Sequence, residues 1–236
     1  MQLVYRIMKK VFIFLFICLS NLFSCKKKAD IESLFNSVFE MEIGYSADNI
    51  IGYASAFKIN DDYCLSSAHN VVYKNNNDEY ITYSYIVGRV YNSNIKIEFK
   101  VNDYNYEDDY VKLVPYQDSK ETFNQIKSLS YSISNDYEIG SFCFSVGNLN
   151  NCGLSYNTGT ISSKLKKIKY HNKENYFIQT SIEISKGVSG CPLFNDKYEV
   201  IGIMTFKLRD SNYEYIDGLS FALPLTAVFA DNSSYW

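Results

Sequence analysis

Hydrophobic residues in this chain fall in short runs separated by turn-forming polar clusters. Ile81 to Val87, Ile95 to Val101, Phe142 to Val146 and Tyr176 to Thr180 are each only a few residues long, with Asn, Asp, Gly and Ser between them. Short runs of this kind predict strands, and their spacing is that expected of strands in barrels. Two segments depart from the pattern. Asp30 to Met41 places Ile31, Leu34, Phe35, Val38 and Phe39 at helical spacing behind an aspartate able to cap, which predicts a short amphipathic helix packed on the barrel. Val11 to Phe23 is almost wholly apolar, follows Arg6, Lys9 and Lys10, and is followed by Ser24-Cys25. That is a secretory signal pattern, and the run is too short for a membrane span, which needs about 20 apolar residues. No heptad or internal repeat points to a solenoid.

Composition strengthens the all-β reading. Tyr and Phe number 22 and 16, and 47% of residues are hydrophobic, which suits pleated, half-buried surfaces. The three prolines, Pro115, Pro192 and Pro224, lie where a strand ends or turns. Residues 25–236 suffice for one domain and little else. The whole chain carries a net charge of −3, and removing residues 1–24 takes away three positive charges and no negative one. Nucleic acid is therefore not an expected partner, because its binding needs a basic surface.

The chemistry centres on Lys186-Gly187-Val188-Ser189-Gly190-Cys191-Pro192-Leu193, a serine held between two glycines in a tight turn after Ile178-Gln179-Thr180. A serine attacks a carbonyl usefully only if a base takes its proton and nearby N–H groups stabilise the oxyanion. Gly187 can adopt backbone angles closed to other residues, so its N–H and that of Ser189 are the candidate oxyanion hole. The chain has two histidines, His69 and His171. His171 lies in a polar run expected to be a solvated turn. His69 ends Tyr63-Cys64-Leu65-Ser66-Ser67-Ala68, which reads as a buried strand delivering a histidine to its tip. A lone histidine in an apolar run is ordinarily a core residue, but the serine loop makes His69 the candidate base. Asp109, directly before Tyr110-Val111-Lys112-Leu113-Val114-Pro115, fits the carboxylate that orients an imidazole. Asp108 and Glu107 are adjacent competitors, and their cluster otherwise reads as a solvated loop.

The order His69, Asp109, Ser189 in these contexts resembles the trypsin-like serine proteases, and among them the HtrA/Deg family most closely. Ser55-Ala-Phe-Lys-Ile with Leu65-Ser-Ser-Ala-His69 is similar to that family's histidine hairpin, and Asp109-Tyr-Val-Lys-Leu to its aspartate strand. Val146-Gly-Asn148, Thr158-Gly-Thr-Ile-Ser162, Ile178-Gln-Thr180, Val200-Ile-Gly-Ile203 and Gly218-Leu-Ser-Phe-Ala-Leu-Pro224 continue the resemblance through most of the chain. It implies two six-stranded antiparallel β-barrels, the first over about 43–125 and the second over about 135–228, with the Ser-His-Asp triad between them. Val188 stands where the family usually has a polar residue, Cys191 where it usually has glycine, and Lys112 where an apolar residue is usual. Cys191 would add strain if its site required a positive φ.

The resemblance also carries expectations about substrate and assembly. Glu183, six residues before the serine, is placed to reach the primary specificity pocket and would favour Lys or Arg there, whereas HtrA proteins usually take small or medium apolar side chains. Thr205 borders the same cleft. Polypeptides are the expected substrates, cleaved by a serine endopeptidase. The alternative is a weak or inactive protease-like lipoprotein serving as a binding or adhesion module. The chain ends soon after Pro224, so the PDZ domain of many HtrA proteins is not expected. Aromatic N-termini build trimers in that family, which makes a homotrimer conceivable, with packing on the barrel preferred. Leu22-Phe23-Ser24-Cys25 resembles a bacterial lipobox, so an exported, membrane-anchored protein lipidated at Cys25 is expected, ahead of simple cleavage or an uncleaved anchor. Export permits disulfides among Cys64, Cys143, Cys152 and Cys191, and Cys143 with Cys152 is the pair to test first. Cysteine spacing and the scarcity of histidine suggest no metal site, and no cofactor is expected.

Overall fold

The computed structural model describes residues 31–170, 173–209 and 215–229. The signal segment, Cys25 and His171 lie outside the described residues. A short helix α1 (residues 31–35) leads into six strands that close into a first barrel: β1 (Val38–Ser46), β2 (Asn49–Lys58), β3 (Cys64–Ser66), β6 (Tyr85–Val90), β7 (Lys96–Asn105) and β8 (Tyr110–Pro115), in the order β1-β2-β3-β8-β7-β6. Between β3 and β6 come the one-turn helix α2 (Ala68–Val71) and a two-stranded ribbon of β4 (Val72–Lys74) and β5 (Tyr80–Thr82). After β8, helix α3 (Gln117–Gln125) leads to the second closed barrel: β9 (Phe142–Asn148), β10 (Leu154–Tyr170), β11 (Lys173–Thr180), β12 (Pro192–Phe194), β13 (Val200–Arg209) and β14 (Tyr215–Pro224), in the order β10-β11-β14-β13-β12-β9. Helix α4 (Thr226–Phe229) follows. The all-β double barrel expected from the sequence is the fold observed. Among the described residues no helix is long and apolar enough to cross a membrane.

Strand alternation explains how these residues make barrels. In β8, Val111 and Leu113 are buried while Tyr110, Lys112 and Val114 are only partly so, the period-two pattern of a strand with one face in a core. Lys112, unusual for an aspartate strand, is on the outer face and pairs with Asp103 at 3.0 Å. Phe39, Met41, Ile43, Phe99 and Phe123 fill the first barrel, with Phe39 and Phe99 edge to face at 5.5 Å. Phe144 stacks on Phe194 at 4.7 Å in the second. Lys58 is fully buried and donates through Nζ to the carbonyl oxygens of Phe123 at 3.0 Å and Ile126 at 2.7 Å, closing the C-terminal end of α3.

Two expectations are corrected here. The helix predicted over Asp30 to Met41 is helical only over 31–35, and Val38 to Met41 belong to β1. Phe39 belongs both to the helical stripe and to the period-two set Phe39, Met41 and Ile43, and pairing of β1 with both β2 and β6 decides between them. The first barrel accordingly begins at Val38 rather than near 43. The four cysteines of the described residues are free thiols. Cys143 faces Gly159 across the β9–β10 pair, whereas Cys152 lies in the exposed turn beyond Asn148. The five residue steps from Cys143 to Asn148 alone span about 16 Å of strand, far beyond the ~7 Å Cα separation that a disulfide tolerates.

Candidate active site

Barrel topology brings together residues far apart in the chain. Strands β3 and β8 are neighbours, Ser66 lies opposite Val111, and so the helix after β3 and the turn before β8 share one end of the barrel. His69 sits on α2 and Asp109 in that turn. Asp109 is fully buried, and its backbone is left-handed at φ 60°, a conformation that Asp and Asn tolerate better than most residues. Its Oδ1 accepts the His69 backbone N–H at 2.9 Å, and its Oδ2 lies 2.7 Å from His69 Nδ1. With Oδ1 also 3.0 Å from Nδ1, three contacts from one carboxylate fix both the main chain and the ring of His69. Asp108 and Glu107 are occupied differently: Asp108 pairs with Lys173 at 2.7 Å, and the Glu107 carbonyl accepts from Asn175 Nδ2 at 2.7 Å.

Burial works against protonation of the His69 imidazole, but the charge of Asp109 and the hydrogen bond to it outweigh burial and raise His69 above its ordinary value. A general base must be neutral, so kcat/KM is expected to rise with pH through a midpoint above 6.5. The same raised value makes protonated His69 a stabilising group whose contribution is complete below pH 6.5 and lost as pH rises through the folded-state value. A pH–rate profile checks this, and an acid limb centred at or below the free imidazole value would overturn the electrostatic account.

Ser189 comes from the second barrel, on the loop between β11 and β12, and first-barrel residues hold that loop. The Ser189 carbonyl accepts from the Ser55 N–H at 3.0 Å and from Asn70 Nδ2 at 3.0 Å. Ser55 Oγ donates to the Gly187 carbonyl at 2.8 Å and accepts the Asn148 N–H at 2.9 Å. Ser55 thus joins three segments, a role that the resemblance on its motif did not reveal. Gly187 has φ 89°, and the Lys186 carbonyl accepts from the Asn150 N–H at 2.7 Å. In a trans peptide C=O and N–H point opposite ways, so the Gly187 N–H faces away from that turn. The backbone N–H groups of Gly187 and Ser189 have no partner among the described residues, which leaves both available to an oxyanion.

Gly187→Ala tests that arrangement. A Cβ there would run into the Asn148 carbonyl oxygen at a φ that alanine disfavours, so the loop must shift. Loss of one oxyanion donor is expected to lower kcat by about 10² to 10³. Peptide hydrolysis with a parallel thermal melt measures it, and unchanged kcat would exclude this N–H from the hole.

His69 and Ser189 line one open cleft of about 750 Å³ together with Gly187, Thr205, Tyr170 and Lys207. The Ser189 hydroxyl donates to the Thr205 carbonyl at 3.0 Å. Thr205 itself is buried, with Oγ1 donating to Ile203 O at 3.0 Å. Glu183 is not on the cleft wall; its exposed carboxylate pairs with Lys207 Nζ at 2.7 Å. Cys191 is buried with an ordinary negative φ, and Gly147 on β9 leaves the space that its Sγ fills. The cysteine is therefore accommodated without the left-handed backbone that would have strained it. Val188 is buried in the second-barrel core.

Residues 54–203 match the model of the trypsin-like peptidase domain. The chain belongs to the trypsin-like peptidase domain family. Among curated proteins it is similar to the serine endoprotease DegS of Haemophilus influenzae, 29% identical over 104 residues that cover 43% of this chain and 30% of that protein. It is 36% identical to a probable periplasmic serine endoprotease, DegP-like, of Rickettsia conorii over 101 residues, covering 41% of this chain and 19% of that one. The matched segment therefore spans less than a third of these relatives. Among solved structures, the HtrA-type protease AlgW with a tripeptide superposes with a TM-score of 0.67 at 19% identity, covering 84% of this chain and 59% of that one. That likeness extends the shared fold through both barrels.

Proposed function

We propose that this protein is a serine endopeptidase acting on exported or misfolded polypeptides. Ser189 Oγ attacks the scissile carbonyl while His69 Nε2 takes its proton. The Gly187 and Ser189 N–H groups bind the oxyanion, and collapse expels the amine with the proton returned by His69. Water then hydrolyses the acyl-enzyme by the reverse sequence. The observation that carries this reading is the cleft lined by both His69 and Ser189, with the carboxylate of Asp109 buried behind the imidazole at 2.7 Å. The Ser189 hydroxyl must turn from the Thr205 carbonyl toward His69, a change of side-chain rotamer of the kind that tightens on substrate binding.

Glu183 lies off the cleft wall, paired with Lys207, and among the described residues the cleft lining carries no carboxylate that would select Lys or Arg, which favours small or medium apolar side chains in the primary pocket. Export agrees with the residue 1–25 pattern and with the probable periplasmic relative named above. Tethering through a lipid on Cys25, which follows the apolar run, completes the reading. The direct test is a fluorescent fluorophosphonate on the intact chain, with the modified residue mapped by mass spectrometry and casein cleavage followed in parallel. Modification of Ser189 with cleavage is the expected result. A folded protein that shows neither supports a protease-like binding lipoprotein, the reading that the Ser189 to Thr205 hydrogen bond favours.

A further inference from the structure

Strand β10 runs on to Tyr170, and its hairpin with β11 reaches from the second barrel to the loop that carries Asp109. Three contacts tie the two. Tyr170 Oη donates to Asp109 Oδ2 at 3.2 Å, Lys173 Nζ to Asp108 Oδ1 at 2.7 Å, and Asn175 Nδ2 to the Glu107 carbonyl at 2.7 Å. The Tyr170 ring is fixed independently of its hydroxyl, stacked on Phe206 at 4.4 Å and edge-on to Phe177 at 5.7 Å. It also forms part of the cleft wall. A donor on a ring held this way reaches Oδ2 from β10 of the second barrel.

We infer that Tyr170 is a positioning residue for the His69–Asp109 pair, with the β10–β11 hairpin acting as a clamp that sets the carboxylate against the imidazole. Asp109 Oδ1 accepts from the His69 backbone N–H and lies 3.0 Å from His69 Nδ1, while Oδ2 makes the shorter 2.7 Å contact with Nδ1 and accepts from Tyr170. The carboxylate plane is thus defined by donors from both barrels. Burial, the Asp109 charge and this hydrogen bond all raise the Tyr170 phenol, so it remains a donor wherever the imidazole titrates. The other ionisable groups nearby are Tyr106, which the field of Asp109 also affects, and the Lys173–Asp108 pair.

The inference rests on the protease reading for its catalytic consequence, and its test separates the two. Tyr170→Phe keeps the stacked ring and removes only the donor. The imidazole signals of the intact chain are followed by NMR against pH in parent and variant, with His171→Asn used for assignment, and the fluorophosphonate labelling rate is measured beside them. Losing one donor leaves more of the carboxylate's charge to the imidazolium, so the His69 midpoint is expected to rise by about half a pH unit. Labelling is expected to slow roughly tenfold as the pair loosens. A variant with the parental midpoint and parental labelling rate would make Tyr170 a packing residue and overturn the inference. If the parent is inert to the probe yet the midpoint moves, the protease reading falls while the coupling of Tyr170 to His69 stands.

Discussion

Ser189→Ala is expected to abolish peptide hydrolysis, lowering kcat by about 10⁶, the scale of loss when the nucleophile of a serine triad is removed. The size follows from what remains: the N–H groups of Gly187 and Ser189 still bind an oxyanion, and His69 still accepts a proton, but no covalent path exists. The fold should survive. The hydroxyl makes one hydrogen bond, to the Thr205 carbonyl, at the wall of a cleft open to water, and the loop is held instead by the carbonyls of Gly187 and Ser189. The expected change in stability is within about 1.5 kcal/mol. Casein and peptide cleavage with a thermal melt decide it. Unchanged cleavage in a folded variant would remove Ser189 from the chemistry altogether.

The elements of this protein that a short stretch of sequence can encode were readable, and those that depend on two distant strands meeting were not. Short apolar runs bounded by turn residues announce β7, β9 and β11, because each satisfies its own pattern locally, whereas the run Ile81 to Val87 breaks at Tyr83-Ser84 and divides between β5 of the ribbon and β6 of the barrel. The glycine-flanked serine, the histidine ending an apolar run and the aspartate opening one were likewise local. β1 reads locally as the end of a helix since Val38 and Phe39 continue a helical stripe, and only β2 and β6 beside them choose the strand. Lys58 in a strand gives no sign that it will be buried under the end of α3. Glu183, six residues before the serine, reads as a pocket carboxylate, yet its exposed side chain lies off the cleft wall against Lys207 of β13. Tyr170 and Ser55 carry the same lesson at the site itself. One of 22 tyrosines cannot be singled out by type, and its meaning comes from the hairpin that presents it to Asp109.

Asp109→Asn should cost nearly as much as losing a member of the triad outright, about 10⁴ in kcat, while leaving the backbone in place. Asparagine tolerates the left-handed φ of 60° at this position, so the turn need not rebuild. The substitution acts on the imidazole. With the side-chain oxygen retained by the His69 backbone N–H, the new amide presents N–H to Nδ1, where Asp109 presented an acceptor at 2.7 Å. Nδ1 must then accept, Nε2 carries the proton, and the nitrogen facing Ser189 can no longer take one. The charge and the hydrogen bond that together outweigh burial are gone as well, so the His69 midpoint should fall below that of the parent, opposite in direction to Tyr170→Phe. A single histidine titration therefore separates the two variants by sign, and kcat separates them by size. A midpoint that stays put in Asp109→Asn would mean that this carboxylate does not govern His69, and the account of the site built on it would fail.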